Sequence, residues 1–219
     1  MNYRELFLTF QNHADSAAAK KMSAYMRNQF PFLGIPTPKR KILSREFYRN
    51  AGKAEAADWT FVNSCWKKGP REFQYLALGY LDLLKDRLTP EDIPGLKNLI
   101  VTKSWWDTID GLDRIVGHIA LSFPGLNKIL LEWSLAENIW LRRVAIDHQL
   151  GRKEKTDTRL LERIIVNNFG QKEFFINKAI GWSLREYGKT NPRWVKDFLA
   201  RHRARLAPLS LREGGKYVR

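Results

Sequence analysis

A repeat of 34 residues runs through the central part of the chain and limits what the chain can fold into. Small residues mark this repeat at Ala77, Gly111, Ala145 and Ala179, and an apolar residue follows each of them. A repeat of this length in helical sequence is typical of stacked helix pairs, in which the small residue lets neighbouring helices approach closely. The repeat therefore predicts an α-solenoid.

Helical periodicity also fills the regions on both sides of the repeat. Apolar residues recur at spacings of three and four, whereas the alternation of a β-strand is hard to find. The pattern predicts helices near residues 2–13, 15–30, 38–49, 55–67, 70–86, 90–102, 104–122, 125–136, 138–150, 157–169, 173–188, 192–206 and 209–217. We expect an all-α protein in which residues 1–219 form a single domain of antiparallel helix pairs. Tetratricopeptide repeats have the same length, but their Trp-Leu-Gly-Tyr signature is missing, and the segment NIWLRRVAIDHQL is more typical of a HEAT repeat.

The net charge of the chain indicates a polyanionic partner. Lys and Arg number 38 against 23 Asp and Glu, so the formal net charge is +15. The basic residues are spread along the helices rather than held in a tail. One arginine on a helix is most simply a solvated side chain, but the total favours a nucleic acid, ahead of an acidic membrane surface. We expect its phosphates to lie on a basic concave face of the solenoid.

Features of membrane and secreted proteins are missing from the sequence. No apolar run approaches the roughly 18–20 residues of a membrane span, and Glu5 stands where a signal peptide carries basic residues. The lone Cys65 excludes an internal disulfide and a Cys-rich zinc site. We therefore expect a cytoplasmic protein without membrane association, and a monomer is the simplest oligomeric state.

Common catalytic motifs are also missing. The four histidines show neither the i, i+4 pairing nor the glutamate partner of a HExxH zinc site. The sequence contains no Gly-rich phosphate loop and no GxSxG elbow. These absences argue against a zinc hydrolase of that kind, a nucleotide-hydrolysing motor and an α/β-hydrolase.

The segment SWWDTID at residues 104–110 contains the first candidate functional residues. Trp106 and Asp110 are four residues apart and lie on one face of a helix. A structural interpretation is open, with tryptophans in the core and carboxylates near a helix N-terminus. Asp110, however, lies further into the helix than a capping residue, and two of its three repeat equivalents, Leu76 and Val144, are apolar. A carboxylate at such a position favours a functional role.

A second candidate cluster is the segment EFFINKAIGWSLREY at residues 173–187. Trp182 and Arg185 are three residues apart on one helical face. In such a pair the ring can pack on a sugar while the guanidinium holds a phosphate. A core tryptophan beside a solvent-reaching arginine explains the same spacing, and the pattern alone leaves both interpretations open.

Several segments resemble the AlkD family of HEAT-like-repeat DNA glycosylases. They are AYMRNQFPFLGIPTPKR, LIVTKSWWDTID, NIWLRR and KEFFINKAIGWSLREYGKTNP, in colinear order from about residue 15 to the C-terminus. The resemblance implies hydrolysis of the N-glycosidic bond of cationic alkylated purines, such as 3-methyladenine and 7-methylguanine, in double-stranded DNA. It further implies a monofunctional enzyme of base excision repair that leaves an abasic site and uses no metal or redox cofactor.

The resemblance also implies roles for residues at matching positions. Asp110 is then the catalytic carboxylate, and Trp106 and Trp182 hold the deoxyribose of the damaged nucleotide. The matched DNA-contact residues are Arg143, Arg185, Tyr25 and Thr37. One position departs from the family, because Lys41 stands where an arginine is common.

Two other functions are compatible with the sequence. The chain could be a DNA-binding protein of the same fold without catalytic activity, because a fold does not determine a function. It could also be a general RNA- or protein-binding α-solenoid. The positive charge suits RNA, but the SWWDTID segment has no role in such a protein.

Overall fold

The computed structural model describes residues 2–218, and within this range the chain is all-helical, with thirteen α-helices and no strand. The all-α fold predicted from the periodicity is thus confirmed. None of the helices in this range is long and apolar enough to cross a membrane. The helices fall into two compact units, Met1–Leu88 and Thr89–Arg219. That residues 1–219 form one domain stays a prediction.

The N-terminal unit contains five α-helices. They are α1 (Tyr3–Asn12), α2 (Ser16–Tyr25), α3 (Thr37–Ala51), α4 (Trp59–Lys67) and α5 (Arg71–Leu83). Helix α3 packs against α1 and α5, and α4 packs against α5. Aromatic rings fill much of this core, since Phe61 lies 4.7 Å from Phe47 and 4.9 Å from Tyr80 between ring centroids.

The segment that leads into α3 is fixed by a buried carboxylate. Glu72 is fully buried and accepts three backbone hydrogen bonds, which come from Leu33 and Gly34 at 2.8 Å and from Ile35 at 3.1 Å. Gly34 has a φ of +88°, and a Cβ there would lie 2.1 Å from a backbone carbonyl oxygen, so only glycine fits. The hydrogen bonds and the glycine together hold the start of α3 in place, including its first residue, Thr37.

The C-terminal unit contains eight α-helices arranged as stacked pairs. They are α6 (Ile93–Val101), α7 (Trp106–Ser122), α8 (Asn127–Trp133), α9 (Ile139–Asp147), α10 (Thr158–Val166), α11 (Phe174–Gly188), α12 (Pro192–His202) and α13 (Pro208–Gly214). Helices α7, α9, α11 and α13 pack against one another in succession. Of the other four helices, α6 packs against α7 and α9, α8 and α10 pack against α9, and α12 packs against α11 and α13. This stacking of pairs is the arrangement of an α-solenoid.

The 34-residue repeat falls on every second helix, as the stacking of pairs requires. Its small residues lie in α5, α7, α9 and α11. Ala145 and Ala179 are fully buried, and Ile146 and Ile180, which follow them, are buried as well. The small side chains therefore face the neighbouring helices, while the larger ones fill the space between layers.

Most of the predicted helices are shorter in the structure by a few residues, and the helix predicted at 15–30 is shortened most. The helix predicted at 15–30 ends at Tyr25, because Arg27 and Asn28 have φ values of 54° and 55°. The Oγ of Ser23 donates to the carbonyl of Phe30 at 2.6 Å and closes the turn that follows. Residues beyond Tyr25 therefore belong to the connection that leads to α3.

Gly117 on α7 lies close to the backbone at the end of α9. A Cβ at this position would lie 2.0 Å from the carbonyl oxygen of His148. We expect Gly117→Ala to lower the free energy of unfolding by about 1–3 kcal/mol, because backbone atoms must shift to admit the methyl group. Alanine has a higher helix propensity than glycine by about 1 kcal/mol, and this gain offsets part of the cost of the shift.

Urea denaturation of the two proteins checks this prediction. Gly125→Ala is the matched control, because a Cβ there meets nothing within 4 Å. A Gly117→Ala protein as stable as the control would show that α7 and α9 separate at no cost.

Candidate functional site

The guanidinium of Arg143 joins three helices at one point. Arg143 lies on α9 and is only 3% exposed. Its Nη2 and Nε donate to Oδ1 of Asp110 on α7 at 2.8 and 3.2 Å, and its Nη1 donates to the carbonyl of Phe175 on α11 at 2.9 Å. Its Cζ lies 5.9 Å from the ring centroid of Trp182, also on α11. Asp110 and Trp182, which are 72 positions apart in the numbering, therefore meet at the same arginine.

Arg143 holds Asp110 by only one of its two carboxylate oxygens. Both hydrogen bonds from Arg143 reach Oδ1. The side chain of Asp110 is 23% exposed. The contact with Arg143 thus fixes the orientation of a partly exposed carboxylate and does not involve its Oδ2.

The two neighbouring tryptophans differ in their surroundings. Trp105 precedes α7 and packs against Trp140 and Phe175, with ring centroids 6.0 and 5.2 Å apart, so it fits the structural interpretation. Trp106 is the first residue of α7, one turn before Asp110 on the same face, and is partly exposed. Trp106 is thus the tryptophan of the pair that lies beside the carboxylate along the helix.

Arg185 belongs to a basic cluster around a single carboxylate. Its Nη1 lies 3.0 Å from Oε2 of Glu213 on α13. Lys178 and Lys216 also pair with Glu213, at 3.3 and 3.0 Å. Three cations share one anion, so the cluster keeps a net positive charge next to Trp182, which lies one turn before Arg185.

Two buried aspartates, Asp113 and Asp147, lie near Arg143, and neither is among the residues predicted from the sequence. Asp147 on α9 is 1% exposed, and its Oδ2 is 3.6 Å from Nη2 of Arg143, while its Oδ1 accepts from the Oγ of Ser183 at 2.9 Å. Asp113 on α7 is fully buried, and neither of its carboxyl oxygens has a hydrogen-bond partner among the described residues.

The surroundings of these groups shift their pKa values. Burial raises the pKa of Asp147 to about 7, although Arg143 and Ser183 oppose the shift. Burial, followed by the charges of Asp147 and Asp110, raises the pKa of Asp113 well above its ordinary value and favours its neutral form. Burial alone would lower the pKa of Arg143, but Asp147 and Asp110 outweigh it and the pKa is raised.

Two sequence signals point to the buried aspartates. Asp113 and Asp147 are 34 residues apart, so they occupy the same position in successive repeats. Asp147 also follows Arg143 by four residues, which places both on one helical face. Within residues 2–218 no group of three or more His, Cys, Asp or Glu side chains is arranged to hold a metal ion. Arg143 pairs with Asp110 at 2.8 Å and with Asp147 at 3.6 Å, and is thus a counter-charge for both.

Tyr25 and Thr37 lie in the N-terminal unit. Tyr25 ends α2 and is 73% exposed. Thr37 begins α3 and is exposed, and its Oγ1 accepts from Nη2 of Arg40 at 2.8 Å. Arg40 in turn lies over the ring of Tyr75 at 4.5 Å, and Thr37, Arg40 and the exposed Lys41 line a cavity of about 160 Å³. Tyr25 and Thr37 are thus both accessible to a partner.

Comparisons with known proteins agree on one family. The family model described as DNA alkylation repair enzyme matches residues 7–218. A solved structure described as a predicted DNA alkylation repair enzyme from Enterococcus faecalis is similar, with a TM-score of 0.87 and 37% sequence identity over 94% of this chain and 96% of that chain. No curated protein sequence matches. The chain belongs to the family of DNA alkylation repair enzymes.

Proposed function

We propose that this member of the family is a monofunctional DNA glycosylase that removes cationic alkylated purines, of the 3-methyladenine and 7-methylguanine type, from double-stranded DNA. Membership of the family supports a role in repair of alkylation damage. The observation that carries the proposal is the geometry of Asp110, whose Oδ1 is fixed by the buried Arg143 while the side chain stays partly exposed and its Oδ2 takes no part in that contact.

The proposed substrate needs no acid to release its base. An N-alkylated purine of this type already carries a positive charge. When the bond from C1′ to the base nitrogen breaks, its electron pair leaves with the base and neutralises that charge. The sugar is left with oxocarbenium character, and the oxygen of a water molecule then bonds to C1′ and loses a proton. The task for the protein is to stabilise a cation and to place the water.

Asp110 is suited to both parts of this task. Its carboxylate stabilises positive charge on the sugar by a direct Coulomb interaction, which is stronger in a partly buried site than in water. Oδ2 is also an acceptor that orients the attacking water and takes its proton. Arg143 keeps the carboxylate in one orientation, so little reorganisation is needed when the charge develops.

Trp106 and Trp182 complete the proposed site. Their faces offer apolar surface to the deoxyribose, and the negative face of an indole ring attracts a developing cation. Trp182 lies beside Arg143, and Trp106 lies one turn before Asp110, so both tryptophans neighbour the Asp110–Arg143 pair. We assign them to the positioning of the damaged nucleotide.

The duplex is bound mainly through its phosphates in this proposal. The net charge of +15 supports a polyanionic ligand. We assign backbone contacts to Arg185 in the C-terminal unit and to Tyr25 and Thr37 in the N-terminal unit. The matching position also implies a backbone contact for Arg143, but that side chain is buried and donates to Asp110 and Phe175, so we assign it to holding Asp110. We further propose that the protein acts as a monomer in the cytoplasm and that its reaction requires no cofactor.

Release of methylated bases from N-methylated duplex DNA tests the function. The expected result is free 7-methylguanine and 3-methyladenine, with strand cleavage only after alkali treatment of the abasic sites. Cleavage without alkali would overturn the monofunctional assignment. If no base is released while salt-sensitive duplex binding is retained, the protein is a non-catalytic DNA-binding member of the fold. Equal affinity for RNA and duplex DNA at the same salt concentration would favour a general nucleic-acid-binding solenoid.

Arg185→Ala is expected to weaken duplex binding without sequence preference. The change removes one cation from the cluster around Glu213, so one phosphate contact is lost and the slope of log affinity against log salt falls by about 1. Titration of labelled duplex at several salt concentrations measures both effects. Arg163→Ala is the matched control, because Arg163 is exposed on α10. Equal slopes for wild type and Arg185→Ala would remove Arg185 from the proposed contact surface.

A further inference from the structure

The charges around Arg143 raise a question about the proposed reaction. A carboxylate that is ion-paired with an arginine is largely neutralised, and a neutral pair stabilises a cation poorly. Arg143 makes two hydrogen bonds to Asp110, at 2.8 and 3.2 Å. If these were the only charges in the site, the catalytic carboxylate would have lost most of its effect before substrate arrives.

Asp147 supplies the missing negative charge. Its carboxylate lies 3.6 Å from Nη2 of Arg143, the same nitrogen that donates to Asp110, and is 1% exposed. With Asp110 and Asp147 ionised, one guanidinium faces two carboxylates and the group has a net charge of −1. Asp113 adds no charge in its neutral form.

The contacts of Asp147 fit this role. The hydroxyl of Ser183 on α11 lies 2.9 Å from Oδ1 of Asp147 and also 2.9 Å from the carbonyl of Ile146. A hydroxyl has one proton, so it donates to Asp147 when that carboxylate is ionised and can donate to Ile146 when it is not. Ser183 therefore accommodates both protonation states without moving.

We propose that Asp147 is a positioning residue for the excision reaction, which holds Arg143 from the buried side and offsets its charge so that Asp110 stays effectively anionic toward the sugar. The inference rests on the proposed glycosylase function. It assigns to α9 a residue that does not touch the substrate and acts only through Arg143.

A dependence of the reaction on pH follows from this role. The charged or titratable groups of the described chain that face Asp147 are Asp110 and Asp113 from α7 and Arg143 from α9, with the hydroxyl of Ser183 from α11. Burial raises the pKa of Asp147 to about 7. The excision rate should therefore rise with pH around a midpoint near 7, as Asp147 loses its proton.

Asp147→Asn is the first variant to compare with wild type. We expect the single-turnover rate of 7-methylguanine release at pH 8 to fall by about 10- to 100-fold, because the charge of Arg143 is no longer offset. The affinity for undamaged duplex should stay within about twofold, since the residue is buried, and the rise in rate near pH 7 should disappear. Asp197→Asn, an exposed aspartate on α12, is the matched control and should behave as wild type.

Ser183→Ala tests the same idea without removing a charge. The hydroxyl of Ser183 lowers the pKa of Asp147, so its loss should move the midpoint of the pH–rate profile upward. The variant should be slower than wild type at pH 7 and recover at pH 9. A variant that is slow only because it is destabilised is not expected to recover its rate at higher pH. The Ser183→Ala profile therefore tests the proposal even if Asp147→Asn does not fold.

A readout without DNA separates the inference from the proposed function. The ¹⁵N–¹H signal of the Arg143 Nε, assigned by its loss in Arg143→Lys, should titrate near pH 7 in wild type and should not in Asp147→Asn. An active wild type with an equally active Asp147→Asn, or an Arg143 signal that titrates the same way in both, overturns the inference. If wild type releases no base, the proposed function fails, and the NMR titration alone decides whether Asp147 holds Arg143.

Discussion

Asp110→Asn is expected to reduce excision of 7-methylguanine by about 10²–10³-fold while the affinity for duplex DNA stays close to that of wild type. An amide has nearly the size of a carboxyl group, and its oxygen can still accept the hydrogen bonds that Arg143 donates at 2.8 and 3.2 Å. Helix α7 therefore keeps its contact with α9. The amide has no negative charge for the cation on the sugar, and its nitrogen cannot take a proton from water.

Two measurements on the same protein check this expectation. Single-turnover base release from methylated duplex reports the chemical step, and titration of labelled duplex reports binding. Asp197→Asn is again the matched control, because it removes one carboxylate from the exposed face of α12. Release at the wild-type rate by Asp110→Asn would show that another group is catalytic. A parallel loss of binding would show that Asp110 acts in recognition of the duplex.

Most of the fold could be predicted because its determinants are local. The 34-residue spacing of Ala145 and Ala179 reports which helices touch, and those residues are fully buried in α9 and α11. Breaks are also local, as at the start of α12, where the side chain of Asn191 accepts from the backbone N–H of Trp194 at 3.0 Å and Pro192 opens the helix. By contrast, the end of α2 depends on a turn closed by Ser23 and Phe30, which helical periodicity does not record.

The candidate site could be predicted only in part from the sequence. The spacing of Trp106 and Asp110 indicates a shared face on one helix, and Trp182 is a candidate beside Arg185 on another. The resemblance to a known family adds Arg143. Whether these residues meet depends on the packing of α7, α9 and α11. The structure brings Asp110 and Trp182 to the same guanidinium, although no local pattern connects them.

Asp147 illustrates what the sequence leaves open. An aspartate four residues after an arginine on a helix usually forms an exposed ion pair of small energy. In this protein the pair of Arg143 and Asp147 lies on α9, which packs between α7 and α11, and both side chains are almost fully buried. Burial changes the pKa of Asp147 and its effect on Arg143. Burial is a property of three packed helices, so spacing alone could not distinguish the exposed pair from the buried one.

Removal of Arg143 should have the largest effect on stability. Arg143→Met keeps much of the volume of the side chain but leaves Asp147 buried without its counter-charge. Breaking a buried ion pair in this way costs about 3–5 kcal/mol of unfolding free energy. We expect a loss of that size at pH 8 and excision below detection, because Asp110 also loses the hydrogen bonds that hold it.

The loss of stability should be smaller in acid, and the sign follows from proton binding. An unfolded aspartate has a pKa of about 3.9, whereas burial raises the pKa of Asp147 to about 7 in the folded protein. Between these values the folded state holds a proton that the unfolded state has released, so stability falls as pH rises. Arg143 lowers the pKa of Asp147, so without Arg143 the fall continues above pH 7.

The two proteins should therefore differ most above pH 8 and least near pH 5, where Asp147 is neutral in both. At pH 5 the remaining cost is that of the partly buried pair with Asp110 and of the hydrogen bond to the carbonyl of Phe175, about 1–2 kcal/mol together. Urea denaturation at pH 5 and pH 8 measures the difference, with Arg163→Met on the exposed face of α10 as the control. An equal loss at both pH values would mean that Arg143 stabilises the helices by packing alone, and the charge balance inferred around Asp147 would then have no basis in stability.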